Sequence, residues 1–529
     1  MKKLLFKSRL LSLAVLCGMV LAFASCVNED VAQGGTGSEN ENDKNLTTFV
    51  VGDESTTRTS MDYNTGAFYW EAGDYIYVKD DDGAWRKSSN APTDKTSYFK
   101  FKVPGKFNNK TSYRVYYPGK NGINDKVTIP AEQSQVTPNT TKHFGVSGDC
   151  GTATANKVAG KHQFEFRLDH QAAILVFQPY IDNTVLEDGY LTKIEVTSDD
   201  DITDTYTLNS TTGELTGRGN GKQITLTTMG SGNYANGFPL NTTTPQMAVN
   251  GAYMFIKPGT HTLKVRYWIK DIATNVEGII TKNLCSFEYA KNTYYDMKVN
   301  LSVTNYDGDH YYMWDAKKPY WYHYEWTKKL PAGTGQPILN GKNKSPNYPK
   351  NNLDYLRWYN EYIPNTYVKN DARQAHFKSL PNANEVAWYC MKGDPHWDAD
   401  RLWTTMGHLY KGGMWFLKKD KISGYTKELA PDGTTDLRIA WKEFSNLSAK
   451  TTIPEASVAD NYFYLPALGY YTDGDLSNVG IVGYYWSSSG FACEDEHGNR
   501  LSYSLGFKGN VVRVSNSHRY RGFRINEFK

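Results

Sequence analysis

Cysteine is scarce, with six in 529 residues and no two at the spacing of metal ligands. Neither charge sign is in excess: 59 lysines and arginines stand against 56 aspartates and glutamates, a net of +3. No strong field therefore draws the chain to nucleic acid or to anionic lipid. Past the first 25 residues no apolar run approaches the roughly 20 residues that cross a bilayer. Helical periodicity is nearly absent from residues 46 to 303. There is no His-Glu-x-x-His, no Cys-x-x-Cys and no Ser/His/Asp elbow. The glycine-rich "GRGNG" (217–221) lacks the strand–turn–helix setting of a phosphate loop and reads as a hairpin turn. No catalytic residue, no metal ligand and no cofactor is assigned on these grounds. Paired carboxylates for glycoside hydrolysis leave no sequence signature, so a glycan-active enzyme stays as a remote alternative.

Aromatics, by contrast, are abundant: 39 tyrosines and 13 tryptophans, types that favour strands and binding surfaces. The chain opens with Lys2, Lys3, Lys7 and Arg9 before an apolar run from Leu10 to Ala24, a secretory signal over residues 1–25. The run ends in "LAFASC", which resembles a bacterial lipobox with Cys26 as the lipidated first residue. "VNED" follows and resembles the acidic surface-export tag of Bacteroidetes lipoproteins. Residues 26–45, small and polar, are expected to form a flexible tether, so the membrane is met through the lipid anchor only. Cys150, Cys285, Cys390 and Cys493 remain in the mature chain, and the sequence leaves their pairing open.

Residues 46 to 303 read as β throughout. "DYIYVKD", "SYFKFKV", "SYRVYY" and "FEFRLDHQAAILVF" are strands bounded by turn residues, with "KDDDGAW" and "YPGKNG" as turns. Trp70, Gly73 and Asp74 suggest a tight turn under an aromatic lid, and His170 suggests a buried hydrogen bond. In order, "TTRTS", "FYWEAGDYIYV", "VTIPAEQSQ", "FEFRLDHQAAILVF", "YMFIKPGTHTLKVRYW" and "NTYYDMKVNL" resemble the fimbrillin family of Bacteroidetes lipoprotein pilins. The resemblance implies two β-sandwich domains, over 46–180 and 185–303. It also implies assembly by strand addition: an N-terminal strand is lost to proteolysis after a basic residue, and a pilus subunit supplies its replacement. Here "LTTFVVG" (46–52) is the strand that leaves and Arg58 the cleavage point.

Composition changes after Val303. Ten of the thirteen tryptophans lie beyond residue 310. Residues 304–330, with "YYMWDAKKPYWYHYEW", read as an aromatic connector. "NANEVAWYC" has helical character and Gly393 stops it. "YFYLPALGYY", "GYYWSSS", "YSLGF", "VRV" and "RGFRI" then resemble, in that order, the C-type-lectin-like domain of the major-paralogue type found in Bacteroidetes and Fibrobacteres surface proteins. The resemblance implies an α+β domain, over 331–529. In such a fold Trp486 is a core plug with its indole N–H bonded to backbone. Ser487, Ser488 and Ser489 let a long loop pack over their strand, and Arg521 and Arg524 tie the last strand to that loop. Serines stand where calcium-holding carboxylates or amides would be needed, so calcium-dependent sugar binding is not carried over.

Ligand contact is expected elsewhere in this domain. Trp397 and Trp403, in "GDPHWDADRLW" (393–403), are candidates for stacking on sugar rings. That stretch reads as a solvated loop, in which a metal site at Asp394, His396, Asp398 and Asp400 is the less favoured reading. Tyr470, Tyr471, Asp473 and Asp475 belong to a long polar loop, "YYTDGDLSNVG" (470–480).

The fold class expected is mainly β: two fimbrillin-type sandwiches followed by a lectin-like α+β domain. The function expected is that of a fimbrial tip adhesin, a non-enzymatic cell-surface outer-membrane lipoprotein. It would accept a strand from a pilus subunit, have no tail of its own to donate, and present the C-terminal domain to a glycan or protein ligand. A surface glycan-binding lipoprotein that never polymerises is the alternative.

Overall fold

The computed structural model of the chain describes residues 3–5, 46–51, 60–63, 68–183, 186, 188–325, 346–362, 368–491, 500–525 and 528. The expected lipidation at Cys26, cleavage at Arg58 and the thiol of Cys493 lie outside them. The chain is mainly β and divides into two units. Unit 1 comprises residues 1–181, 190–269 and 279–301, and unit 2 comprises 182–189, 270–278 and 302–529.

Alternating strands build the first sheet of unit 1. Its order is Trp85–Lys87, Tyr77–Lys79, Ser112–Tyr117, Gly151–Lys157, Gln163–Phe166, Leu46–Val51, Lys100–Pro104, with Asp169–His170 beside Gly151–Lys157. Phe101 and Val103 from one strand and Tyr113, Val115 and Tyr117 from another point into one core, as a period of two requires. Trp70 closes that core, edge-on to Phe101 at 4.9 Å and to Tyr117 at 5.6 Å. Its position is set by the following turn, where Asp74 Oδ2 accepts from Glu71 N (2.7 Å), Asp74 Oδ1 accepts from Tyr117 OH (3.0 Å), and Gly73 takes φ +81°.

The strand Ala173–Tyr180, expected in the first sandwich, lies elsewhere. It runs parallel to Thr293–Asn300 and antiparallel to Ala252–Ile256, and Lys3–Leu5 pairs on the far side of Thr293–Tyr295. Seven of its eight residues are buried, so it serves as a strand covered on both faces, not as an alternating one. A second sheet runs Glu132–Ser134, Gln223–Thr227, Gly189–Ser198, Leu263–Asp271, Val276–Asn283. Leu263, Val265, Tyr267 and Ile269 alternate inward from its fourth strand. Strands on both sides of the expected boundary at 180–185 thus share sheets.

Packing in unit 1 holds one of its buried histidines with a nitrogen unbonded. His143 is buried, with Nε2 3.2 Å from Tyr253 O, and its Nδ1 meets no partner among the described residues. Burial lowers its pKa from 6.5 to about 4, so the folded unit holds it neutral. The unfolded chain takes up the proton first, so this contribution is complete above pH 6.5 and is lost as pH falls toward 4. Between pH 7 and pH 4 the native chain should lose about 3 kcal/mol more stability than His143→Gln, which keeps a donor for Tyr253 O. Urea unfolding of both proteins at the two pH values checks this; equal losses would show that His143 does not titrate on unfolding.

Unit 2 contains a four-stranded sheet, Thr304–Tyr306, His396–Thr405, His408–Leu417, Tyr462–Pro466. Its six-stranded partner runs Tyr311–Tyr312, Phe523–Arg524, Gly483–Gly490, Leu501–Lys508, Val511–His518, Phe444–Asn446. The stretch expected as a solvated loop at 393–403 is mostly the strand His396–Thr405. It turns at Met406 and Gly407, both at positive φ, into His408–Leu417. The helix Ala383–Lys392 begins in a capping box, Asn382 with Glu385, and ends at Gly393. Its Val386, Ala387, Tyr389 and Cys390 face a core shared with Tyr485, Tyr503, Leu505 and Val512.

The expected connector is built into this unit over its described part, 304–325. Tyr311–Tyr312 pairs antiparallel with Phe523–Arg524, and Trp314 and Trp321 are buried. So many large apolar rings in one stretch are stable only inside a core.

Candidate functional site

In unit 1 the strand Leu46–Val51 carries the functional question. It lies antiparallel to Lys100–Pro104 (Leu46 opposite Pro104) and parallel to Gln163–Phe166 (Thr48 opposite Gln163). Phe49 is buried, stacked on Phe164 at 5.2 Å and edge-on to Phe107 at 5.2 Å. Thr47 Oγ1 and His162 Nε2 are 3.0 Å apart. Taking this one strand away would leave two strand edges unpaired and a slot about 20 Å long between them, floored by aromatic rings. His170, the other residue singled out here, has Nδ1 2.6 Å from Asp149 Oδ1 with both side chains buried. Burial pushes the Asp149 carboxyl up against the opposing pull of His170.

In unit 2 the run Trp486–Ser489 organises a long loop. Trp486 is fully buried, its Nε1–H donates to Tyr312 O at 2.8 Å, and its ring stacks on Phe523 at 4.4 Å. Ser487 Oγ donates to Tyr503 O at 2.9 Å. The next two residues hold segment 371–383: Ala372 N donates to Ser488 O (2.8 Å), Ser488 N to Pro381 O (2.9 Å) and Ala383 N to Ser489 Oγ (3.1 Å). Arg524 is buried and reaches not that loop but Asp307 O, at 2.9 Å. Burial would raise the Asp307 carboxyl, yet His310 and Arg524 hold it well below the usual range. Arg521 sits in the turn before the last strand, its guanidinium 5.9 Å from the ring of Tyr470.

Protein-family models were searched, and none matches the chain. No curated protein matches it either. Solved structures do match part of it. A candidate cell adhesion protein from Bacteroides ovatus is 12% identical over 49% of this chain and 92% of its own, with a TM-score of 0.29. A fimbrial protein from Bacteroides ovatus is 12% identical over 51% of this chain and 52% of its own, at 0.24. The fimbrial anchor protein Mfa2 from Porphyromonas gingivalis is 12% identical over 45% of this chain and 82% of its own, at 0.21.

Two of the expected ligand contacts are core residues instead. Trp403 is fully buried, stacked on Tyr410 at 5.3 Å, with Nε1–H donating to Gly412 O at 2.9 Å. Tyr471 is fully buried and stacked on Tyr320 at 5.0 Å, and burial pushes its phenol well up. Neither ring has a face to offer a sugar. The expected long loop is a hairpin, Tyr470–Thr472 with Asp475–Ser477, turning at Asp473 and Gly474. Asp473 is exposed at its tip, while Asp475 and Tyr470 are half-buried, Tyr470 edge-on to Tyr484 at 5.3 Å. Trp397 is half-buried against Phe507 at 6.5 Å.

The acidic residues of 393–403 do not converge. Burial would raise the Asp394 carboxyl, but Lys450 (2.9 Å), Tyr462 (2.8 Å) and His396 (3.1 Å) bond it and keep it low. Asp398 accepts from Arg401 N at 2.9 Å and from Trp415 Nε1 at 3.1 Å. Among the described residues no three His, Cys, Asp or Glu side chains gather as a metal needs.

One organising residue carries no sequence signal of its own. Arg519 is 1% exposed, donates to Leu501 O, Ser502 Oγ, Asn360 O and Tyr362 O at 2.7–2.9 Å, and lies 4.3 Å over Trp314. It is one of three arginines in "HRYRGFR", with Arg521 and Arg524, and nothing local sets it apart.

Proposed function

We propose that the protein is a bacterial surface adhesin of the fimbrial type. Unit 1 accepts a strand from a pilus subunit in the place held by Leu46–Val51, and unit 2 is the lectin-like module that meets a glycan or protein ligand. The observation that carries this reading is the interior position of Leu46–Val51, next to the end of its sheet, paired on both edges and anchored by Phe49. A strand so placed can be exchanged for another of similar pattern, because both flanking edges remain as templates. Anchoring at Cys26 brings the chain to the outer membrane, and cutting after Arg58 frees the strand.

Native cells should carry a chain whose mature N-terminus is Thr59, read by mass spectrometry. Immunogold against residues 315–529 should mark fibre ends. Arg58→Ala should retain Leu46–Val51 and move the gold to the cell envelope. A native chain that still carries Leu46–Val51, with gold spread over the envelope and no fibres, overturns strand acceptance and leaves a non-polymerised glycan-binding lipoprotein.

A further inference from the structure

Unit 2 holds a cavity of about 550 Å³, within the roughly 300–1,000 Å³ of small-ligand sites. It opens between the serine-anchored segment 371–382, the first turn of the helix Ala383–Lys392 and the stretch 419–428. None of the ligand candidates read from the sequence lines it. Three rings form its apolar side: Tyr389, with Tyr425 at 5.7 Å and Phe528 at 5.3 Å. Tyr425 and Phe528 are half-buried, so each keeps part of a face open.

Charge decides what could enter. Lys378, Lys419 and Lys427 line the cavity and are all exposed. None forms an ion pair with a carboxylate among the described residues. Two of the three acids that line it are already engaged. Glu428 pairs with Arg438 at 2.7 Å. Glu385 accepts from Asn382 N at 2.8 Å and from Tyr425 OH at 3.1 Å. Asp371, at the rim, is exposed. Three lysines and three aromatic rings thus line one cavity, a space fit for one or two sugar rings. Ammonium groups pair with carboxylate or sulfate, and aromatic faces pack against the apolar face of a pyranose ring.

We propose that this cavity binds an acidic saccharide, a sugar ring bearing a carboxylate or a sulfate. The proposal rests on the reading of unit 2 as a ligand-binding module and names the ligand class.

Titration calorimetry on the full chain tests it, with digalacturonic acid, 3′-sialyllactose and a sulfated disaccharide as acidic probes and lactose and cellobiose as neutral ones. At least one acidic probe should bind saturably, more weakly as salt rises, and the neutral sugars should not. Exposed ion pairs are individually weak, so Lys378→Ala, Lys419→Ala and Lys427→Ala combined should weaken binding roughly tenfold. Tyr425→Phe keeps the ring and should retain binding, whereas Tyr425→Ala should lose it. All three lysines are exposed, so unchanged thermal melting of the triple variant separates lost binding from lost folding. Binding unaffected by the triple change, equal binding of neutral sugars, or no acidic probe bound each overturns the proposal. These outcomes leave the position of the chain on fibres untouched, so the cavity and the adhesin reading fail separately.

Discussion

Arg519→Ala should destabilise unit 2 by about 3 kcal/mol or more, the largest loss expected of any polar substitution there. The guanidinium is buried and satisfies four acceptors on two stretches of chain: Leu501 and Ser502 on one, Asn360 and Tyr362 on the other. Truncation strands those acceptors away from water at about 1–3 kcal/mol each, less whatever solvent entering the vacated space restores. It also removes the cation from above Trp314. Arg519→Lys should recover only part of the loss, because one ammonium cannot reproduce a planar fork reaching in several directions. Urea unfolding followed by tryptophan fluorescence measures this in the intact chain, since ten of the thirteen tryptophans lie beyond residue 310. A loss below about 1 kcal/mol would mean that water replaces the guanidinium fully.

Trp486→Ala should cost about 3–5 kcal/mol, the range for emptying a buried aromatic site. Two effects add. The cavity left beside Phe523 cannot close, because strands hold the backbone on either side. The carbonyl of Tyr312 also loses its donor. Trp486→Phe separates the two, since it keeps most of the ring volume and drops only the indole N–H, and should cost about 1–3 kcal/mol. The same unfolding experiment distinguishes them. If the phenylalanine variant loses as much as the alanine variant, the hydrogen bond outweighs the packing.

Local chemistry explains what could be read from the sequence. A run of alternating β-formers between turn residues has few alternatives to strand, and the chain is mainly β. Asn382 and Glu385 at capping-box spacing, with Gly393 beyond, bracket a helix whatever its partners. What depended on distant contacts was not legible. Trp403 and Tyr471 look like exposed loop aromatics until the strands that bury them are in place. Ala173–Tyr180 follows the first sandwich in sequence yet pairs with Thr293–Asn300, more than a hundred residues on. The lysine-lined cavity draws on four stretches that share no motif, so only the folded chain brings them together.

The serine-anchored segment has a consequence for how such a protein can change. The bonds from Ser488 and Ser489 reach the backbone of Ala372, Pro381 and Ala383 and no side chain of the segment. Buried Ala372, Phe377 and Leu380 fix its inner face in the core, while Lys378 is exposed. Substitutions at its exposed positions could alter which ligand is welcomed while the framework beneath stays as it is. A lineage facing new surfaces could diversify here residue by residue, with each step sparing the packed sheet on which the others depend.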